Sequence, residues 1–404
     1  MNNISKINNM TVLARKDGRY EGRVSIEGKR KSFYGKTKVE VKDKAKEFLK
    51  KVENGYKEPE KITLNEYIVY WLKTYKLNKI EPTSYSRLCS VYVNQIKDTI
   101  GSNMIGKITT KNIQELIDEY ANPSNVKVKP LAMSGLKKIM ELLRPCLNMA
   151  IREEVITKNP CEYVILPKQS CIKVTTKEQF SLSDEEIEQL KNSSLKRNKT
   201  NGEYKSRDAL VLLLILNLGL RVGEALALEW EDIDFDKRII YINKTVQSNI
   251  RDYDFESGKK KVYSRIKDST KTSAGVRTLY LGDTTLAYIN ELKRYDERKG
   301  IRSKYVACTT VGTLNTARNL QRSLDKVLSR TNIDKKVSLH TLRHTFGSYL
   351  IRNGVGIEVI SKLMGHANNS VTYNKYIHSI KEEEAKAMKL KSIIKCGQNV
   401  VNCK

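Results

Sequence analysis

No run in this 404-residue chain approaches the ~20 consecutive apolar residues of a membrane-spanning helix. Its first residues, MNNISKINNM, lack the basic-then-apolar order of a secretory signal. The seven cysteines (89, 146, 161, 171, 308, 396 and 403) are odd in number and scattered, and no C-x-x-C occurs. That disfavours a disulfide framework and a cysteine-built zinc site. Internal repeats are also absent. These absences point to a cytoplasmic protein with reduced, mostly structural thiols and no membrane partner. Acidic residues are few beside basic ones, with 46 Asp and Glu against 74 Lys and Arg and a net charge of +28. Such an excess is the electrostatic footprint of a polyanion-binding protein, and nucleic acid is the first candidate. Lysine-rich solubility is the plainer alternative. Histidine is rarer still: there are four, all between His340 and His378.

The length predicts two or three domains. Residues 1–57 read as a small β-sheet plus a helix. Asp17-Gly18 is a strong hairpin turn and Glu27-Gly28 a weaker one, giving strands near 11–15, 20–26 and 30–34. A charged amphipathic helix follows from Val39 to Val52. The first 38 residues carry ten Lys or Arg against three acids. A basic sheet of this kind fits a DNA major groove, and Arg23, Lys29, Arg30, Lys31 and Lys36 are its candidate contacts. A solvated hairpin domain that only packs on its neighbour is the alternative. Residues 62–165 show helical apolar spacing, as in Leu64, Tyr67, Ile68, Trp71 and Leu72, then Leu136, Ile139, Met140, Leu143 and Leu147. The spacing predicts a bundle of four or five helices. From residue 180 to 404 the pattern is mixed. Ser183-x-x-Glu186 is a capping box, Ala209–Leu218 reads as a buried helix, and Arg238–Val246 and Arg277–Leu281 alternate like strands. The whole is a multidomain α+β protein ending in a mixed α/β domain.

The chemistry-bearing residues lie in that last segment. Gly219-Leu220-Arg221-Val222-Gly223-Glu224 follows the buried helix. A glycine-punctuated turn there holds Arg221 out toward a ligand, with Glu224 placed to orient it. Arg343 comes three residues after His340, so both share one face of a helical turn. Two permanently charged arginines suit the oxygens of a phosphodiester. Without a family to compare, His340 reads as a helix cap or core histidine before it reads as catalytic, and His366 reads as a helix-end residue.

The order Arg221, Lys271, His340, Arg343, His366, Tyr376 resembles the tyrosine recombinase (phage integrase) family. The matching stretches are GLRVGEALAL, KTSAGVR, LHTLRHTF and LMGHANNSVTYNKYIH. The three-part layout is most similar to integrases of Gram-positive conjugative transposons and prophages. The resemblance implies an arm-site DNA-binding domain (1–57), a helical core-binding domain (62–165) and a catalytic domain with a C-terminal tail helix (180–404). It implies a site-specific recombinase that integrates and excises a mobile element through a 3′-phosphotyrosyl intermediate. Tyr376 is then the nucleophile, Arg221 and Arg343 stabilise the phosphorane, and His340 is general base and acid. His366 bonds a phosphate oxygen and Lys271 protonates the leaving 5′-oxygen. Tyr373 is the rival nucleophile, and Lys267 or Lys259–Lys261 the rival lysines. His344 and His378 read as structural neighbours. The implied partners are double-stranded DNA at core and arm sites, three further copies in a synaptic tetramer, and an excisionase or host DNA-bending protein. No cofactor or metal is implied.

Competing readings are a zinc nuclease built on the histidines, a catalytically inactive DNA-binding regulator and a type IB topoisomerase-like enzyme. Two further expectations remain. The stretch between Val246 and Lys271 is longer than a tight hairpin needs and predicts a protruding β-hairpin that contacts DNA or a neighbouring protomer. The amphipathic tail after Tyr376 predicts a helix that docks on an adjacent protomer.

Overall fold

A computed structural model describes residues 10–26, 29–53, 61–174, 180–200, 202–268 and 275–366, with 370 and 373 as isolated positions. The chain divides into two compact units, Met1–Thr176 and Lys177–Lys404. Among the described residues no helix is long and apolar enough to cross a membrane.

The first unit opens with an antiparallel sheet of β1 (Val12–Ala14), β2 (Tyr20–Ile26) and β3 (Lys29–Gly35), followed by α1 (Lys38–Glu53). Gly18 takes φ +80°, the left-handed conformation the first turn requires, and Asp17 accepts from the Arg19 backbone N–H. One sheet face buries Val24 and Phe33 against Val41, Ala45 and Leu49 of α1. Residues alternate along a strand, so the other face carries Leu13, Glu21, Arg23, Ser32 and Tyr34. Lys31 belongs to the helix side, with its ammonium 3.8 Å from the Phe48 ring centroid.

Among the described residues that follow in this unit there are four α-helices: α2 (Leu64–Trp71), α3 (Pro82–Val91), α4 (Thr110–Ala121) and α5 (Met133–Arg152). Their starts are written in the sequence. Capping boxes at Thr63/Glu66 and Thr109/Asn112 open α2 and α4, and Pro82 stands in the first turn of α3. The apolar positions of the sequence pattern are the buried ones, including Leu64, Trp71, Leu136, Leu143 and Leu147. Helices α2 and α3 each run on into a five-residue π-helical turn, at Leu72–Lys76 and Tyr92–Ile96. The hydroxyls of Tyr67, Tyr70 and Tyr75 all donate to Glu153, tying the start of the bundle to the end of α5.

In the second unit the Ser183/Glu186 capping box opens α6 (Asp184–Ser194). Helix α7 (Arg207–Leu218) is apolar nearly all round and is the central core helix. Its one buried charge, Arg207, forks onto Asp296 at 2.5 and 2.6 Å and also donates to two backbone carbonyls. A short helix α8 (Val222–Ala227) leads to β4 (Ile233–Asp234), β5 (Ile239–Ile242), β6 (Lys244–Tyr253), β7 (Lys260–Asp268) and β8 (Arg277–Tyr280). Strands β4, β5 and β8 form one sheet, and β6 and β7 form a separate two-stranded ribbon. Helices α9 (Asp283–Lys299), α10 (Ala317–Leu328), α11 (Leu339–Arg352) and α12 (Ile357–Met364) follow within the described residues.

The stretch read as one strand, Arg238–Val246, is two. It breaks at Asn243, whose amide donates to Asp232, and Lys244 then turns inward onto Glu229 at 2.7 Å. This anchored kink moves the chain from the three-stranded sheet to the ribbon. The expected hairpin is that ribbon. Gly258 turns at φ +68° and most of β7 is exposed. The tail after Tyr376 lies outside the described residues.

Candidate active site

Helix α7 ends on Gly219 at φ +60°. A Cβ there would collide with the Phe346 ring, so a close approach and a left-handed turn both require glycine. The turn delivers Arg221 to the position before α8. Its backbone N–H donates to Glu224 Oε2 at 2.8 Å and its Nη1 to Glu224 Oε1 at 2.7 Å. The carboxylate therefore orients the arginine, as the sequence spacing predicts. Gly223 is needed as well, because β6 passes so close that a Cβ would lie 2.6 Å from the Val246 carbonyl.

Glu224 is buried and shared. Arg277, the first residue of β8, forks onto it at 3.1 and 2.7 Å, and Arg343 Nη1 on α11 stands 3.8 Å away. Burial pushes the Glu224 carboxyl up, but Arg277 and Arg221 outweigh it and hold the group below the ordinary carboxylate range. Three guanidiniums around one carboxylate leave a local excess of two positive charges.

The end of α12 supplies the other half of the cradle. Gly365 caps it at φ +63°, its N–H bonding Lys362 O and that of His366 bonding Ser361 O. The carbonyls of Leu363, Met364 and Gly365 lie past the reach of helical donors. Each accepts from a different arginine: Leu363 from Arg277 Nε at 2.7 Å, Met364 from Arg343 Nη2, and Gly365 from Arg221 Nη2 at 2.6 Å. Cations at a helix C-terminus also meet the negative end of its dipole. Arg343 Nη1 reaches back to Gly219 O at 2.6 Å, joining the turn before α8 to the end of α12.

His366 is half-buried, with Nε2 3.2 Å from Arg343 Nη2. A guanidinium only donates, so Nε2 accepts and Nδ1 carries the proton of the neutral ring. His340 lies in the first turn of α11, behind the Ser338/Thr341 capping box, and is exposed. Its ring meets buried His344 edge-on at 5.5 Å, so His344 supports His340 from within the helix. The structure thus gathers Arg221, Arg343 and His366 and sets His340 one helical turn before Arg343. Lys271 and Tyr376 lie outside the described residues, whereas the rival lysines Lys259, Lys260, Lys261 and Lys267 and the rival nucleophile Tyr373 lie within them. Arg277 was missed by sequence reading. Its local signals are its place at the end of the KTSAGVR stretch and its alternation with Leu279 onto the inward face of a strand.

The arrangement can hold a tetrahedral anion. Arg221 has a side chain 41 % exposed and faces outward, while Arg343 at 3 % and Arg277 at 7 % are fixed behind it.

Known proteins resemble this chain in sequence and in fold. Residues 181–383 match the model of the phage integrase family, and residues 63–120 match that of the phage integrase N-terminal SAM-like domain. A tyrosine recombinase XerC-like protein of Caldanaerobacter subterraneus subsp. tengcongensis is 31 % identical over 375 residues, covering 89 % of this chain and 90 % of that one. The integrase of Staphylococcus phage L54a is 24 % identical over 328 residues, 78 % of this chain and 87 % of its own. Among solved structures, the Tn1549 transposon integrase in complex with transposon right end DNA superposes with a TM-score of 0.61 at 19 % identity, over 80 % of this chain and 99 % of that one. A lambda integrase tetramer bound to a Holliday junction gives 0.54 at 16 % identity, over 89 % and 96 %.

Proposed function

The chain belongs to the phage integrase family of tyrosine recombinases, enzymes of DNA strand transfer, and from that premise we propose how its own residues carry out site-specific recombination. The observation that carries the reading is the convergence of Arg221, Arg343 and His366 on one point, held by Glu224 and the end of α12.

Tyr376 Oη attacks the scissile phosphorus, forming a 3′-phosphotyrosyl bond as the bond to the 5′-oxygen breaks. An unperturbed tyrosine has a pKa of ~10, so the attack needs a base. His340 takes the phenolic proton, and Lys271 gives one to the departing 5′-oxygen. Arg221, Arg343 and His366 stabilise the phosphorane with fixed donors, which costs little reorganisation as charge develops. Rejoining runs the same steps backward, and the covalent link conserves the bond energy. Incoming phosphate oxygens displace the α12 carbonyls from the outward-facing arginine first.

The substrate is double-stranded DNA of a mobile element and its target. Residues 62–165 and 180–404 grip the core site, and residues 1–57 read the arm site. The open face of the first sheet is the surface for that reading, with Arg15 5.3 Å over the Tyr34 ring and Arg23 and Arg30 on the same face. Four copies assemble on two duplexes in the cytoplasm, and an excisionase or a host bending protein sets direction.

The test is covalent trapping on a nicked duplex bearing the core site, in EDTA. The native chain is expected to leave a denaturant-resistant protein–DNA adduct, and Tyr376→Phe none. An adduct that persists in Tyr376→Phe moves the nucleophile to Tyr373. Cleavage abolished by EDTA favours the zinc nuclease. Tight binding without an adduct favours the inactive regulator.

A further inference from the structure

We propose that Arg277 is a positioning residue for strand cleavage: by clamping Glu224 and the Leu363 carbonyl together, it holds Arg221 and the end of α12 in register for the scissile phosphate. The inference rests on the recombinase reading above.

Arg277 sits where three parts of the site meet. It opens β8, directly after the segment 269–276 that carries Lys271. Its Nη1 and Nη2 donate to the two oxygens of Glu224, and its Nε donates to Leu363 O. One planar fork therefore spans the carboxylate that orients Arg221 and the helix end that precedes His366. The side chain is 7 % exposed, and its three nitrogens donate to Glu224, Leu363 O and Gly275 O. Its neighbours in the carbonyl row are Arg343 on Met364 and Arg221 on Gly365. Arg277 and Arg343 are both almost fully covered, and Arg221, at 41 % exposed, is the most open of the three to exchange its carbonyl for phosphate.

The clamp also keeps Glu224 charged. A buried carboxyl deprived of its bidentate partner rises toward neutrality. Once protonated, Glu224 accepts less well from Arg221 Nη1 and from the Arg221 backbone N–H. The groups facing it are Arg221 on its own turn, Arg277 on β8 and Arg343 on α11. Asp232, Tyr241 and Lys244 line the narrow space on its other side. His366 meets Arg343 at 3.2 Å, one partner removed from Glu224. Loss of Arg277 should therefore convert a nearly pH-independent orientation of Arg221 into a pH-dependent one.

The experiment measures single-turnover adduct formation on the nicked core-site duplex by the full chain, between about pH 6 and 9, with binding affinity for the same duplex followed in parallel. The variants are Arg277→Met, Arg277→Lys and the double variant Glu224→Gln/Arg277→Met. A native chain that forms no adduct overturns the recombinase reading itself, whatever the variants do. With native cleavage in hand, Arg277→Met is expected to cleave roughly 100-fold more slowly with affinity within about threefold, the cost of a small misplacement. Its rate should fall further toward low pH, and that acid limb should vanish in the double variant, which has no carboxyl to protonate. Arg277→Lys keeps the charge but cannot fork, so it should recover part of the rate. If Arg277→Met does not fold, Arg277→Lys decides alone, with roughly tenfold slower cleavage at unchanged affinity expected. Cleavage within about threefold of native in either folded variant overturns the proposal. So does a loss equal at every pH that accompanies an equal loss of DNA affinity, which would mean Arg277 supports only the general fold.

Discussion

A glutamate held between arginines recurs in this chain, and two of its instances set a surface against a core. On the open face of the N-terminal sheet, Glu21 pairs with Arg15 and Arg23 at 2.8 Å each, and Tyr34 donates to it. In the catalytic unit, Glu224 pairs with Arg221 and Arg277 and stands near Arg343. In both places arginines hold a carboxyl below its ordinary range: Arg23 first at Glu21, and at Glu224 Arg277 and Arg221 against a larger opposing effect of burial. Their surroundings differ. The side chains of Arg15 and Arg23 are 43 % and 62 % exposed, whereas those of Arg277 and Arg343 are almost fully covered. Exposed pairs are screened by water and salt and contribute little to stability. They remain free to trade their carboxylate for DNA, which gives affinity that depends on salt. A buried cluster is costly to break and fixes its donors before substrate arrives, which gives catalysis.

The largest effect that separates the two regions is expected at Arg343. Arg343→Ala should slow adduct formation by roughly 100- to 1,000-fold, the typical loss on removing one preorganised donor. Single-turnover trapping measures it, and retention of full rate would remove Arg343 from the phosphate. Next comes Glu224→Ala, which leaves Arg277 and Arg343 buried without their counter-charge. It should destabilise the catalytic unit by about 3–5 kcal/mol in a denaturant titration. Glu21→Ala should leave the melting curve nearly unchanged.

The pH dependence sharpens the contrast. A carboxyl lowered by folding contributes stability that is complete above its unfolded pKa, 4.5 for glutamate, and is lost as pH falls through its folded value. Glu224 should therefore keep the catalytic unit's ion pairs intact down to the ordinary carboxylate range and release them only below it. Acid titration of native protein against Glu224→Gln checks this. A difference between the two that disappears already near neutrality would contradict it. The smallest effect is expected at Arg23. Arg23→Ala should weaken arm-site binding and reduce the salt slope by about one, without changing the rate of cleavage at saturation.

Much of this contrast is legible in the sequence, because it rests on local rules. Gly219 and Gly223 mark the turn that presents Arg221, Ser338 marks the start of the helix that carries His340 and Arg343, and Gly365 marks the stop before His366. The apolar spacing gives the buried faces of α2 and α5, and the two turn glycines give the ribbon and the first hairpin. What stays hidden is tertiary. Nothing near Arg277 in the chain says that it lands on Glu224, 53 positions away. The break at Asn243 depends on an acidic pocket of Glu229 and Asp232 that sequence spacing does not reveal. Lys31 looks like its basic neighbours, yet strand alternation places it toward Phe48 on the helix side. Lys271 and Tyr376 rest on their motifs alone.

The most direct test of the central claim compares Arg343→Ala and Arg23→Ala on one duplex carrying both the element end and the crossover site, with affinity and single-turnover cleavage measured across a salt series. A crossing is expected: Arg343→Ala loses rate while keeping most of its affinity, and Arg23→Ala loses affinity and salt slope while keeping its rate at saturation. Loss of rate and affinity in the same proportion in both variants would mean that burial does not divide catalysis from binding in this chain.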